Sequence, residues 1–116
     1  MAALPLILDH VNAGRLSLAR FVDLTSAGPA RLFNIACKGR ITAGYDADLT
    51  VVDLKRSETI TDDWVASRAG WTPYDGMRVN GWPVGTFVRG RRVMWQGEIS
   101  APSTGEPVRF LETLRA

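Results

Sequence analysis

Apolar residues recur at helical spacing near the start of the chain. Leu4, Leu8 and Val11 are three or four positions apart, so the segment 3–13 is predicted to form an amphipathic helix. Gly14 follows at the position where a glycine commonly ends a helix. One face of this helix is therefore expected to pack against another layer of the fold.

Two shorter helices are predicted to follow the first. Ser17 is a typical N-cap residue for the second helix, and Pro29 suits the first position of the third. Their apolar side chains are expected to be buried: Leu18, Phe21, Val22, Leu24, Leu32 and Phe33. Three short helices in succession indicate part of something larger, because an apolar helix face must be covered by a second layer.

A turn and a β-branched run come next. Gly39, Gly44, Asp46 and Asp48 are the glycines and short carboxylates that tight turns use. The run LTVVDL, residues 49–54, is short, apolar and bounded by turn residues, which predicts a buried strand. The chemistry of this stretch is structural, since it supplies no nucleophile, metal cluster or phosphate-binding loop.

Residues 77–99 carry the second strand signal. Strand-like runs alternate with turn residues, and Arg89 and Gly90 are predicted to form the tip of a β-hairpin that joins 85–88 to 93–95. The fold class is therefore α+β, with short helices first and a small sheet domain second.

The region between the two strand signals is predicted to contain a brief helix and a shaped loop. Thr61 is a candidate N-cap, with Asp62 and Asp63 in the first turn, where the helix dipole favours negative charge. Trp71 and Tyr74 are expected to hold the following loop against the body of the protein.

Three segments are predicted along the chain. They are a helical segment at 1–36, a small β domain at 37–99 and a tail at 100–116. The tail either forms a short helix that packs Phe110, Leu111 and Leu114, or it frays.

Length and charge limit the function classes. The chain has 116 residues, 46% of them hydrophobic and 22% charged, which is typical of one small globular domain and too short for a TIM barrel of about 200 residues or more. A net charge of +2 gives little support for a nucleic-acid or anionic-membrane partner. The basic cluster at Arg89, Arg91 and Arg92 is expected to be a solvated hairpin tip.

Cysteine and histidine usage argues against nucleophilic catalysis. Cys37 is the one cysteine, so no intrachain disulfide forms, which fits a reducing compartment. His10 is the one histidine and the sole candidate base for Cys37 or for a serine nucleophile. No apolar run reaches the ~18 residues of a membrane span, and no basic stretch precedes the apolar start, so the cytoplasm is the expected location.

The chain also lacks the ligands of a hydrolytic metal site. Such sites combine histidines, carboxylates or a carbamylated lysine, whereas this sequence has one histidine, Lys38, Lys55 and no H-x-H motif. The pairs Asp46/Asp48 and Asp62/Asp63 are interpreted as turn and helix-start residues. No catalytic, cofactor-binding or metal-binding residue is therefore predicted.

Three stretches together resemble dihydroorotases, cyclic amidohydrolases of the amidohydrolase superfamily. They are LPLILDHVNAGRLSLARFVDLTSAGPARLFNI, GRITAGYDADLTVVDL and WTPYDGMRVNGWPVGTFVRGRRVMWQGE, which together cover nearly all of 4–98. Hydantoinases and allantoinases share the first two stretches and part of the third. The run Gly81–Val84, GWPV, favours a dihydroorotase.

The resemblance implies the C-terminal, non-catalytic portion of such an enzyme. The helices would finish a TIM-like barrel, and the strands would belong to a small β-sandwich beside it. The complete enzyme would use zinc to hydrolyse dihydroorotate to N-carbamoyl-aspartate, in pyrimidine biosynthesis. The family's metal ligands and catalytic aspartate map onto no residue here, so this chain alone is expected to bind no cofactor and to be inactive.

The expected partner is the rest of the parent barrel, or a second copy bound through the N-terminal helices. Three other hypotheses stay open. The chain could be the corresponding part of a hydantoinase or an allantoinase. The chain could be a stand-alone assembly or binding module that reuses the β domain, or, as a weaker option, a nucleic-acid binder that uses Arg89, Arg91 and Arg92. No nucleic-acid or membrane partner is predicted.

Overall fold

The computed structural model describes residues 2–100 and 102–114, and it has the predicted α+β class. Along the chain the elements are α1 (Ala3–Asn12), α2 (Leu18–Val22), a π-helical segment (Asp23–Ala27), α3 (Gly28–Leu32), β1 (Leu49–Thr59), a 3₁₀ turn (Asp62–Trp64), β2 (Arg78–Val88), β3 (Arg91–Trp95), β4 (Glu98–Ile99) and α4 (Leu111–Leu114). The four strands form one sheet in the order β1-β2-β3-β4. The second sheet layer of a sandwich stays a prediction.

The chain folds as two compact units. The first combines the chain up to Ser17 with Val52–Pro83, and the second combines Leu18–Val51 with the chain from Val84 onward. β1 and β2 each contribute residues to both units. The domain boundaries that the sequence predicts after residues 36 and 99 stay a prediction.

The first unit is built on α1. Leu8 is fully buried, as are Ile60 and Val79. Gly81 has φ +108°, and a Cβ there would lie 2.8 Å from the Leu8 Cβ, so only glycine lets the strand approach the helix this closely. Asn12 fixes the end of α1 by donating from Nδ2 to the carbonyls of Leu54 (3.0 Å) and Asn80 (2.7 Å).

The end of α1 confirms the sequence prediction. The Gly14 amide donates to the Val11 carbonyl (3.1 Å), and the Arg15 amide donates to the His10 carbonyl (3.0 Å). This pair of bonds, with Gly14 at φ +77°, is the Schellman arrangement that ends many helices. In the same unit, the rings of Trp64 and Trp82 lie 4.7 Å apart and are tilted by 44°.

The second unit contains the predicted hairpin. β2 pairs antiparallel with β3, and β3 pairs antiparallel with β4. Arg89 and Gly90 form the tip with φ values of +48° and +80°, as a tight hairpin turn requires. Only glycine fits at position 85, because a Cβ there would lie 2.7 Å from the ring of Trp95.

Several burial predictions are wrong. Of the apolar residues in α2 and α3, Phe21 is buried, but Leu32 is 75% exposed and Phe33 is 61% exposed. Leu18, Val22 and Leu24 are also exposed. No layer within the described residues covers these side chains. The sequence pattern predicts an apolar face but does not show whether another layer covers it.

The strand and loop predictions also need correction. β1 is longer than predicted and is half-buried with alternating exposure, so it is not a fully buried strand. Trp71 and Tyr74 are exposed and do not anchor their loop. Thr61 precedes only a 3₁₀ turn and makes no side-chain capping bond.

Candidate functional site

Lys38 is the centre of the most highly connected polar cluster in the second unit. Its Nζ donates to Asp46 Oδ2 at 2.9 Å and to Asp48 Oδ2. The two carboxylates are two residues apart, immediately before β1, and the loop between Lys38 and Asp46 is closed by the Asp46 amide donating to the Cys37 carbonyl (3.0 Å). We call the three side chains of Lys38, Asp46 and Asp48 the lysine clamp.

The lysine clamp also binds the hairpin tip. The second oxygen of Asp48, Oδ1, accepts the backbone amide of Arg89 at 2.9 Å. Next to it, the Gly90 amide donates to the Ala47 carbonyl at 2.9 Å. The turn before β1 and the tip between β2 and β3 are therefore held together by one carboxylate and one backbone bond.

Charge pairing shifts the pKa values of two members of the lysine clamp, Asp48 and Lys38. The hydrogen bond from Lys38 lowers the pKa of Asp48, although partial burial acts in the opposite direction. The hydrogen bond to Asp48 likewise raises the pKa of Lys38 against the effect of burial. A general acid or base works best with a pKa near the working pH, so both shifts point to a structural role.

His10 and Cys37 belong to different compact units of the chain, and the prediction that they form no catalytic pair stays a prediction. His10 lies exposed on α1, in the first unit, with its Nδ1 3.0 Å from Arg15 Nη1. Because arginine only donates, Nδ1 accepts and the neutral ring carries its proton on Nε2. Cys37 is a free, partly buried thiol in the second unit, at φ +58°.

Asp62 closes the loop that follows β1. Its Oδ1 accepts the Thr72 amide at 2.8 Å, and its own amide donates to Asp75 Oδ1 at 2.9 Å. These bonds, and not a helix dipole, account for an aspartate at this position. These contacts give Asp62 a loop-closing role, and the prediction that it has no catalytic role stays a prediction.

The basic cluster at the hairpin is partly engaged within the chain. Arg89 donates from Nη2 to the Thr104 carbonyl and lies 3.5 Å from Glu106 Oε1. The Arg92 guanidinium lies 5.7 Å from the ring centre of Trp95, a cation–π contact. These contacts give Arg89 and Arg92 intramolecular roles, whereas the sequence predicts a solvated hairpin tip.

The donor set of the described residues does not fit a metal ion. Within 2–100 and 102–114, no three His, Cys, Asp or Glu side chains converge as ligands would. In the same part of the chain, no helix is long and apolar enough to cross a bilayer.

Exposed apolar residues between α2 and the end of α3 form a candidate interaction surface. We call Leu18, Val22, Leu24, Leu32 and Phe33 the helical surface. In the same stretch, Asp23 accepts from Arg20 (3.2 Å) and Arg31 (2.8 Å). Exposed apolar surface commonly marks a protein–protein contact.

Comparison with protein families and curated sequences gives a consistent result. The model of the "Amidohydrolase family" matches residues 1–93. The dihydroorotase of Methanothermobacter thermautotrophicus is 46% identical over 96 residues, which is 83% of this chain and 22% of that protein. The dihydroorotase of Pyrococcus furiosus is 43% identical over 104 residues, 90% of this chain and 25% of that protein.

Solved structures resemble the fold equally well. The L-hydantoinase (dihydropyrimidinase) from Arthrobacter aurescens superposes with a TM-score of 0.81 at 42% identity, over 84% of this chain and 22% of its own. A D-hydantoinase from Thermus sp. gives 0.76 at 31% identity, over 85% of this chain and 22% of its own. The chain thus spans about a quarter of the length of the curated relatives it matches. With residues 1–93 matched by the family model, the chain belongs to the amidohydrolase family.

Proposed function

We propose that this chain is the C-terminal, non-catalytic part of a dihydroorotase-like, zinc-dependent cyclic amidohydrolase. The observation that carries the proposal is the 46% identity to a dihydroorotase across 96 residues. The parent reaction would add water to a ring amide of dihydroorotate and release N-carbamoyl-aspartate, as part of pyrimidine biosynthesis in the cytoplasm.

In this proposal the chain supplies scaffold and no reacting group. The described residues do not fit a zinc site, so the metal would be bound by residues outside these 116. No step of the hydrolysis is therefore assigned to this chain. Its contribution is a folded support, stiffened by the ion pairs of the lysine clamp and by the bonds from Asn12 to β1 and β2.

The helical surface is the proposed contact with the remainder of the enzyme. Leu32 and Phe33 are too exposed to contribute to the core of this chain. Covering them with a partner would stabilise the complex by about 25 cal/mol for each Å² of apolar surface that is buried. The partner would be the barrel of the parent enzyme, with a second copy of this chain as the alternative. The sheet would then form part of a small β-sandwich.

There is a second candidate for the ring that the parent enzyme would hydrolyse. The likeness to an L-hydantoinase structure, with a TM-score of 0.81, supports a hydantoin-type ring as the alternative to dihydroorotate. A stand-alone assembly or binding module that uses the helical surface is the alternative from another functional class.

A complementation experiment tests the proposal. The Methanothermobacter thermautotrophicus dihydroorotase would be truncated before its segment matching this chain, and this chain would be added with zinc. Restored hydrolysis of dihydroorotate is expected, together with no turnover by this chain alone. Turnover by the isolated chain would contradict the non-catalytic role, and a failure to restore hydrolysis would contradict the dihydroorotase-like role.

Matched variants connect the result to the helical surface. Leu32→Glu adds one negative charge to this surface and is expected to abolish the restored activity. Thr59→Glu adds the same charge at an exposed position of β1 and is expected to leave it intact. Equal activity of both variants would place the contact elsewhere.

A further inference from the structure

The tail after β4 folds back onto the second unit at two places. The first is the hairpin tip, where Arg89 Nη2 donates to the Thr104 carbonyl and lies 3.5 Å from Glu106 Oε1. The second is the segment after α3, where Ile35 and Phe110 form an isolated antiparallel bridge. The tail is therefore held at both ends and spans residues 104–112.

The second contact reads like one step of a β-ladder. The Ala36 amide donates to the Arg109 carbonyl at 2.8 Å, and the Leu111 amide donates to the Asn34 carbonyl at 2.8 Å. Beside them, Asn34 Nδ2 donates to Glu112 Oε1 at 2.6 Å. Backbone bonds provide the binding here, and one side-chain bond sets the register.

The receiving segment owes its shape to α3 and not to the tail. The amides of Asn34 and Ile35 donate to the carbonyls of Arg31 (3.4 Å) and Ala30 (2.9 Å), which is the Schellman arrangement at a helix end. Asn34 occupies the left-handed position at φ +53°, which asparagine tolerates better than most residues. The receiving segment therefore has backbone bonds of its own in addition to those with the tail.

The tail lies beyond the family model's match and buries little apolar area. Residues 1–93 match the family model, so the receiving residues are inside the match and the tail is beyond it. Val108, Phe110 and Leu111 are all at least 40% exposed, so little apolar burial retains the tail. Segments with few buried contacts open locally at a small fraction of the global unfolding free energy.

We propose that residues 104–112 are a releasable strap. Its seat, defined as the Asn34–Ala36 backbone, the Asn34 side-chain amide and the Arg89 guanidinium, binds a segment that carries two glutamates with apolar residues between them and that enters α4 at Leu111. In the intact chain the occupant is the chain's own tail. This inference is independent of the proposed function, because it concerns contacts within the second unit alone.

Hydrogen exchange on the full chain tests whether the strap opens on its own. Asn34→Asp keeps the left-handed position but places a carboxylate opposite Glu112, so the amides of Ala36 and Leu111 are expected to exchange about tenfold faster. The Gln96 amide, bound to the Val84 carbonyl in the hairpin, is expected to keep its rate. Equal acceleration of all three amides, or of none, would overturn the proposal.

A rescue variant separates the contact from general damage. Adding Glu112→Gln to Asn34→Asp restores a donor–acceptor pair with the roles exchanged, so both strap amides are expected to return close to their original rates. Arg89→Gln is expected to speed the same two amides, whereas Arg91→Gln, which removes the same charge next to the seat, is expected not to. Failure of the rescue would overturn the assigned pair.

A peptide in trans tests the seat. The probe is a labelled peptide STGEPVRFLETL, residues 103–114, added to the full chain and to its Glu106→Gln/Glu112→Gln variant. The variant tail competes less well, so the variant is expected to bind the peptide at least fivefold more tightly than the original chain does. Equal binding to both, or none to either, would overturn the proposal.

Discussion

Replacing Lys38 by methionine is the sharpest test of the lysine clamp. Methionine keeps the length of the side chain but removes the charge that Asp46 and Asp48 share. The three side chains are only 23%, 32% and 33% exposed, so water replaces the lost partner incompletely. Two carboxylates would then be left facing each other near the turn before β1.

The expected cost lies between two known limits. Exposed ion pairs contribute about 0–1 kcal/mol, whereas removing one partner of a buried pair costs about 3–5 kcal/mol. For a cluster about two-thirds shielded, we expect a loss of about 2 kcal/mol in the free energy of unfolding. With an unfolding entropy of about 2.1 cal/mol/K per residue, this lowers the melting temperature by about 8 °C.

The pH dependence fixes the cause. The pKa of Asp48 is lowered in the folded state, so its contribution is present above the unfolded value of about 3.9 and is lost as the pH falls through the lower folded value. The pKa of Lys38 is raised, so its contribution is present below about 10.4 and is lost as the pH rises through the higher folded value. The difference between wild type and Lys38→Met should therefore be constant from about pH 5 to 10 and shrink below about pH 4.

The assay is urea unfolding followed by circular dichroism across this pH range. Lys55→Met is the matched control, because Lys55 forms no side-chain ion pair with the described residues, and it is expected to change stability by less than about 0.5 kcal/mol. A loss below 0.5 kcal/mol for Lys38→Met, or a difference that persists undiminished at pH 3, would refute the reasoning.

Three further predictions concern packing and the exposed surface. Gly81→Ala should lower the free energy of unfolding by about 2–4 kcal/mol in thermal unfolding, because Gly81 has a positive φ and a Cβ there would lie 2.8 Å from Leu8. Gly44→Ala, at φ +85° with no neighbouring atom within 4 Å, should cost about 1 kcal/mol, and equal costs would contradict this. Asn12→Ala should cost about 1–2 kcal/mol in urea unfolding by removing two bonds to strand carbonyls, and an unchanged midpoint would count against their role. Leu32→Glu should leave stability within about 0.5 kcal/mol while lowering apolar-dye binding; a destabilisation above 1 kcal/mol would show that Leu32 is packed after all.

The elements that the sequence predicted correctly have local causes. The end of α1 depends on a glycine one residue beyond the cap, and the hairpin tip depends on two residues that tolerate positive φ. Such signals involve neighbouring residues, so periodicity and turn chemistry are sufficient to find them. The absence of predicted catalytic or metal residues stays a prediction.

The errors concern contacts with distant or external groups. An apolar stripe predicts burial, but whether Leu32 and Phe33 are covered depends on what lies beside α3, which periodicity does not encode. The sequence predicts the turn at Asp46 and Asp48 but not its ion pairs with Lys38. It also does not predict the bond from Asp48 to Arg89, because these residues are 41 positions apart. The nearby lysine was the only available signal, and a charge-pairing rule applied to the turn would have found it.

The tryptophans give each unit an optical reporter of its own. The indoles of Trp64 and Trp82, 4.7 Å apart and tilted by 44°, couple their electronic transitions and produce paired bands of opposite sign in circular dichroism. In the other unit, Trp95 lies against Gly85 and has a guanidinium 5.7 Å away. Its emission is obtained as the difference between the intact chain and a Trp95→Phe variant, because the other three tryptophans also emit. Following both signals during heating therefore shows, without any label, whether the two units unfold together or one after the other.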